Sequence, residues 1–226
     1  MLGQIPTPHS LDFSTGALLA QNSRRSSRYA AIKRGIDVLL VLATAPLSLT
    51  IVGILAFFVR LDGGRAFYCQ RRLGKDGRVF VLWKLRSMVP DADRRLQEYL
   101  AQNPEARAEW DLTQKLRADP RITWLGRYLR KYSADELPQL WNVFLGQMSL
   151  VGPRPMSPEQ RALYPETAYF EMRPGLTGLW QIGARNGCSF AQRAAHDTQY
   201  ARIMSFGTDI RILLMTAVVV VRGTGL

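Results

Sequence analysis

Residues 38–59 hold 22 consecutive positions without a charged side chain, and Pro46 stands inside them. As a straight helix the run measures about 33 Å at about 1.5 Å per residue, enough for a bilayer core of about 30 Å. Two features argue against a simple crossing. Pro46 removes the hydrogen bond to the carbonyl of Leu42 and its ring crowds that turn, so a bend is expected. Arg24, Arg25, Arg28, Lys33 and Arg34 precede the run while Arg60, Arg65, Arg71 and Arg72 follow it, so the positive-inside rule draws both ends to the same side. A bent helix with two cytoplasmic ends is re-entrant: it dips into one leaflet and returns. Thr44, Ser48 and Thr50 beside the bend offer hydroxyls to the backbone groups that Pro46 frees. A kinked crossing helix and a buried core helix are the competing readings, the second disfavoured by so long an uncharged run. The second apolar stretch, 212–221, is too short to span and predicts interfacial or core packing.

At 226 residues the chain suits one domain with a sizeable core. Its 47% hydrophobic and 21% charged residues exclude a wholly disordered or fibrous chain. The formal net charge is +12, and Lys stands only at 33, 75, 84, 115 and 131, so the excess is mostly Arg. That balance attracts phosphate, whether of nucleic acid, an anionic bilayer face or a nucleotide substrate. Cys69 and Cys188 are too few for a disulfide framework and lack zinc-site spacing. The first 23 residues do not carry the cationic start and apolar run of a secretory signal, which points the bulk of the chain to the cytoplasm.

Beyond the apolar run, 67–71 and 79–86 read as strands joined through Asp76-Gly77, a strong hairpin signal. Alternation puts Phe80, Leu82, Lys84 and Arg86 on one face, where two cations can grip one polyanion or form a solvated rim. Residues 91–102 and the stretch from Pro104 predict two helices that read as scaffold. The segment 119–155 differs in character, with Arg121, Arg127, Arg130, Lys131 and Arg154 around the adjacent carboxylates Asp135 and Glu136. Ser133 to Glu136 fits an S-x-x-E capping box, and Pro138 is tolerable only in a first turn, so one helix is expected from here to about Leu145. The helix dipole favours acids at such a start whatever their use. A start facing several Arg also keeps Asp135 ionised and draws in phosphate, while Glu136 is placed to hold a divalent cation. An ionised carboxylate beside a metal-bound phosphate is a nucleophile in position. The Gly- and Pro-punctuated stretch 173–186 predicts a packed loop that brings backbone amides to a ligand. His196 has no triad or metal partners at recognisable spacing and reads as structural.

KRGIDVLL at Lys33, FYCQRRLGKDGRVFVLWKLRSM from Phe67, DPRIT at Asp119, LRKYSADELPQLWNVFLGQMSLVGPRP from Leu129 and RPGLTGLWQIGARN from Arg173 follow in one order. In these segments the chain resembles the bacterial sugar transferases that start extracellular polysaccharide synthesis, the monotopic phosphoglycosyl transferases acting on polyprenyl phosphate. The resemblance implies that Asp135 attacks the sugar-bearing phosphorus of a UDP-hexose, that UMP leaves, and that undecaprenyl phosphate takes the sugar phosphate from Asp135. It implies Mg²⁺ on Glu136, with Lys84, Arg86, Arg130, Arg154 and Arg185 around the phosphates. NPEARAEWDLTQKL before DPRIT is most similar to members that transfer galactose 1-phosphate; glucose and N-acetylhexosamines are the alternatives. Two departures are Ala45-Pro46, where the family usually has Ser-Pro, and Gly64-Arg65, where Gly-Pro commonly precedes the hairpin.

The expected architecture is α+β, predominantly helical with a short β-hairpin, in a monotopic membrane protein with interfacial amphipathic helices. Residues 1–32 form a loosely ordered basic tail, 33–60 a re-entrant helix-break-helix bent at Pro46, and 61–226 a catalytic domain. The expected place is the cytoplasmic face of the bacterial inner membrane, among its lipids, with the oligomeric state open. A nucleic-acid-binding protein lacks a recognisable motif and leaves 38–59 unexplained. A non-enzymatic membrane scaffold predicts that Asp135 and Glu136 are dispensable.

Overall fold

The computed structural model describes residues 13–113, 116, 118–183 and 190–223. The chain opens with α1 (Phe13–Arg60), followed by the antiparallel strands β1 (Phe67–Leu73) and β2 (Val79–Leu85). Asp76 and Gly77 both take positive φ, 57° and 71°, in the turn between the strands, as an Asp-Gly step favours. Then come α2 (Ala92–Gln102), α3 (Pro104–Thr113), α4 (Trp124–Lys131), a 3₁₀ turn at Ala134–Glu136, and α5 (Gln139–Phe144). Strand β3 (Ser149–Val151) leads through a 3₁₀ segment at Pro158–Leu163 to α6 (Ala168–Glu171). Strand β4 (Gly175–Thr177), α7 (Leu179–Ile182), α8 (Phe190–Ile203) and α9 (Phe206–Arg222) complete the order. The fold is mostly helical with a short hairpin, as expected. The parallel pair β3–β4 was not legible, because three-residue strands carry no periodicity to read.

Helical backbone runs from Phe13 through Pro46 to Arg60 without interruption. The chain is helical well before Lys33, and Pro46 does not break the secondary structure. The nearby hydroxyls also act differently from expectation. Thr44 Oγ1 donates to Leu40 O at 2.8 Å, Ser48 Oγ to Ala45 O at 3.2 Å and Thr50 Oγ1 to Pro46 O at 2.8 Å, so these bonds do not go to Leu42 O. Helical Ser and Thr reach back three or four residues, and Leu42 O lies at that offset from none of the three.

The stretch from Tyr29 to Arg60 is long and apolar enough to cross a membrane. Val41 and Val59 are buried against the body, whereas Leu42, Leu47, Leu49, Ile54, Phe57 and Phe58 between them are exposed. Val41 joins the main core with Leu82, Val143, Met148, Leu150 and Ile212. Val59 packs with Leu85 and Leu129 in a separate cluster.

Polar contacts fix the start of the apolar run on the body. Lys33 Nζ and Tyr29 OH, the latter at 2.7 Å, both donate to Asp209 Oδ2 on α9. Arg34 donates to the carbonyls of Val143 at 2.5 Å and Phe144 at 2.8 Å, where the last carbonyls of α5 lack helical partners. Asp37, itself buried, accepts from Ser149 Oγ at 2.7 Å and from Leu150 N at 3.1 Å. The charges of the KRGID segment therefore mount α1 on α5, β3 and α9.

Candidate active site

Asp135 and Glu136 are carried on a tight turn rather than on the regular helix expected. Ser133 is left-handed, with φ 53° and no side-chain capping bond, and Ala134–Glu136 form one 3₁₀ turn before α5 starts at Gln139. The S-x-x-E pattern is thus not used as a capping box. The chain must turn at Ser133 straight out of α4, and the Glu136 carboxylate is drawn to cations instead of back to Ser133 N. Buried Asn142 on α5 accepts from Trp83 N at 3.1 Å and donates to Val81 O at 2.7 Å. Those bonds hold α5 against β2 and so bring the acidic turn beside Lys84.

Lys84 Nζ lies 2.8 Å from Glu136 Oε1 and 3.7 Å from Asp135 Oδ2. Arg154 Nη2 approaches the same Glu136 oxygen at 3.4 Å. Burial opposes ionisation of Glu136, but Lys84 and Arg154 prevail and hold its carboxyl down to about 2. Asp135 is 7% exposed. Burial lifts its carboxyl above the ordinary aspartate range against the pull of Lys84 and Arg130, while Glu136 adds to the rise. Two adjacent carboxylates are thereby pushed apart, a pattern that active sites share.

The supporting cations come from separate segments. DPRIT is stapled to the chain after β2: Thr123 N donates to Ser87 O at 3.1 Å and Val89 N to Arg121 O at 2.8 Å. A Cβ on Gly126 would stand 2.0 Å from Ser87 O, so only glycine lets α4 pack this closely. Arg130, near the end of α4, donates its Nε to Ser87 Oγ at 2.9 Å; burial lowers its guanidinium pKa, against the pull of the Asp135 and Asp119 charges. Asp119 is paired in fork geometry with Arg121 at 2.6 to 3.1 Å. Arg154 is placed by β3–β4, because Gly152 N donates to Thr177 O at 2.8 Å and Gly175 N to Pro153 O at 2.7 Å. The GPRP and RPGLTG motifs meet there. The second forms β4 and leads into α7, and its Gly175 and Leu176 line a cavity beside Glu136, while 184–186 of the expected ligand loop lie outside the described residues.

Arg86 follows β2 directly and is turned away from the acidic turn: its Nη2 donates to Val59 O at 2.8 Å, at the carboxyl end of α1. A Cβ on Gly64 would sit 1.8 Å from its Nη1, so Gly64 leaves the guanidinium its space. Pro46 stands in the exposed part of α1, away from the acidic turn in sequence. Arg185, Asn186 and Cys188 lie outside the described residues. Cys69 is a free, exposed thiol.

A cavity of about 160 Å³ opens beside Glu136, with Lys84 and Arg154 in its wall. Arg72, Gln139, Gln160 and Arg193 also line it, and sequence reasoning did not single out any of them. Arg72 falls just past the strand read at 67–71 and joins the hairpin face because β1 runs on to Leu73; the others depend on packing. The Arg154 and Arg193 guanidinium groups both lie over the Trp180 ring, 5.9 and 5.7 Å from its centroid.

Among the described residues no group of three or more His, Cys, Asp or Glu side chains is placed to cage a metal ion. Among the described contacts both cations reach Glu136 through Oε1, so Oε2 is the oxygen that would hold a cation. One carboxylate oxygen completed by substrate phosphates suits Mg²⁺, which favours that mixed coordination.

The model for bacterial sugar transferases matches residues 28–223. The chain belongs to the bacterial sugar transferase family. This sugar transferase is 46% identical over 200 residues to the exopolysaccharide production protein ExoY of Sinorhizobium fredii, across 85% of this chain and 87% of the relative. It is 45% identical over 205 residues to the UDP-galactose-lipid carrier transferase of Erwinia amylovora. Identity to the undecaprenyl-phosphate galactose phosphotransferase of Salmonella typhimurium is 42% over 205 residues. Those two alignments take in 90% of this transferase but only 43% of each relative.

Proposed function

We propose that this sugar transferase moves a hexose 1-phosphate, galactose 1-phosphate first among the candidates, from a UDP-hexose to undecaprenyl phosphate, as the opening step of exopolysaccharide assembly. The observation that carries this reading is the buried Asp135 beside a cationic cavity, in a body mounted on a long apolar helix. Galactose is favoured by the names of the Erwinia and Salmonella relatives.

In the first displacement an Asp135 carboxylate oxygen bonds to the sugar-bearing phosphorus, the bond from that phosphorus to the bridging oxygen breaks, and UMP leaves with the electron pair. In the second, an oxygen of undecaprenyl phosphate attacks the same phosphorus and Asp135 departs as carboxylate. The products are UMP and a lipid-linked sugar diphosphate. Lys84, Arg130 and Arg154 offset the charge carried through both steps. Mg²⁺ on Glu136, when bound, neutralises the diphosphate and stabilises the leaving phosphate.

Location at the cytoplasmic face of the inner membrane follows from the same reading. The helix is buried at Val41 and again at Val59 but not between, which supports an arch that leaves the body, enters one leaflet and returns. Trp124, Tyr128 and Tyr132 around α4, with Leu214, Val218 and Val221 on α9, are exposed large apolar groups. Beside Arg127 and Lys131 they suit the headgroup boundary. An acidic turn held near that boundary meets a soluble donor and a lipid acceptor together.

Membranes containing the full chain, incubated with labelled UDP-hexoses and undecaprenyl phosphate, are expected to yield UMP and lipid-linked sugar diphosphate, fastest with UDP-galactose. Absence of UMP release from UDP-galactose, UDP-glucose and UDP-N-acetylhexosamines with folded protein overturns the reading.

Adduct formation has a defined pH response. The first displacement needs ionised Asp135, whose folded pKa is raised by burial, so its rate falls as pH drops through a midpoint above the ordinary aspartate value. Arg130→Gln removes a cation that favours the carboxylate and moves that midpoint further up. Rapid-quench measurement of adduct against pH checks both; an unmoved midpoint removes Arg130 from control of Asp135.

A further inference from the structure

The cavity beside Glu136 gathers cations from four separate positions of the chain. Arg72, Lys84, Arg154 and Arg193 face it, against Glu136 as the one acidic residue among the described lining residues. Glu136 is already engaged by Lys84 and Arg154. Arg72 is turned onto the neutral amide of Gln70, Nη2 to Oε1 at 2.5 Å. Arg193 donates to the Arg154 carbonyl. Behind it, Asp197 accepts from Tyr164 OH at 2.8 Å; burial pushes its carboxyl up to about 6, and its charge is the first among the neighbours that favour the Arg193 cation. Burial and then mutual repulsion depress the guanidinium pKa of Arg72, with Arg154 the first of its cationic neighbours and Arg193 next. Like charges gathered in a half-buried cavity destabilise the empty protein and gain on entry of an anion.

The hairpin register spaces these cations. Lys84 pairs with Tyr68 and Arg72 with Phe80, so Arg72 lies four residues along the same strand face, about 13 Å by backbone rise. The Lys84 end adjoins Asp135 and Glu136. A volume of about 160 Å³ is below the roughly 300–1,000 Å³ of pockets that enclose whole small molecules. It suits the phosphates of a nucleotide sugar, with base and hexose outside.

We propose that Arg72 and Arg193 form the leaving-group end of the site, binding the nucleotide-side phosphate of the donor and then the phosphate of departing UMP. This rests on the transferase reading above. Lys84 and Arg154 remain with the sugar-bearing phosphate beside Asp135. In-line displacement puts the leaving oxygen opposite the attacking carboxylate, and as its bond to phosphorus breaks the electron pair gathers there. The two guanidinium groups stabilise that charge without moving.

The test is calorimetric titration of UMP into the full chain in lipid nanodiscs, for wild type and Arg72→Gln. The variant is expected to bind UMP about tenfold more weakly, in line with loss of one charge-assisted contact, and to raise the KM for the UDP-hexose similarly. Its thermal midpoint without nucleotide is expected to rise, because repulsion is relieved. Arg193→Gln is expected to weaken UMP in the same direction. UMP affinity within twofold of wild type in both variants overturns the inference, as does normal UMP binding with a raised KM for undecaprenyl phosphate alone. A wild-type protein that neither binds UMP nor releases it from any UDP-hexose instead overturns the transferase reading itself.

Discussion

Asp135→Asn is expected to abolish the covalent sugar-phosphate adduct and reduce transfer by about 10⁴-fold or more, equivalent to at least about 5.5 kcal/mol of transition-state stabilisation. An amide oxygen is a poor nucleophile, while the side chain keeps its size, so the loss is chemical rather than architectural. Lys84 retains Glu136 at 2.8 Å when its longer contact to residue 135 at 3.7 Å is altered. Burial disfavours the Asp135 carboxylate, so the neutral amide is not expected to lower stability. Intact-protein mass spectrometry after mixing with UDP-hexose reads the adduct, and a thermal melt reads the fold. An adduct of the same mass on the variant moves the nucleophile to another residue.

The second large effect concerns how the apolar helix is mounted. Asp209 accepts from Lys33, from Tyr29 and, on its other oxygen at 2.6 Å, from Tyr200. The Lys33 and Asp209 side chains are only 11% and 8% exposed. Asp209→Ala strands a buried ammonium and two hydroxyls at once, so a loss of about 3–5 kcal/mol is expected. For a domain of this size that lowers the melting midpoint by about 10 °C. Combining it with Lys33→Met, which removes the stranded charge, is expected to recover a large part of the loss. Thermal unfolding of the wild type and three variants in one nanodisc preparation measures this. A double variant no more stable than Asp209→Ala shows that the pair's charge is not what anchors α1.

Legibility followed the range of the interactions involved. The hairpin was legible because alternation and the Asp-Gly turn act within a few residues, and Asp76 and Gly77 take the left-handed backbone those residue types allow. The helix through 38–59 was legible because uncharged length is itself the signal. The expected capping box was not formed, since a four-residue pattern does not say where the chain comes from; entry from α4 sets Ser133 left-handed. Arg86 shows the same limit. Alternation put it on the face of Lys84, but β2 ends at Leu85, and the carbonyl of Val59 and the space left by Gly64 decide where its guanidinium goes.

The order of residues alone determined an apolar helix, a hairpin, an adjacent acid pair and the motifs of the family, since each is written within one segment. Tertiary structure decided which cations gather around the acids. Lys84 and Arg154 reach Glu136 from 52 and 18 positions away, while Arg72 and Arg193 join the cavity from opposite ends of the body's sequence. Charge attraction weakens with distance and solvent screening and strengthens with burial, so the identity of an arginine says little until packing sets which carboxylate, carbonyl or cavity it faces.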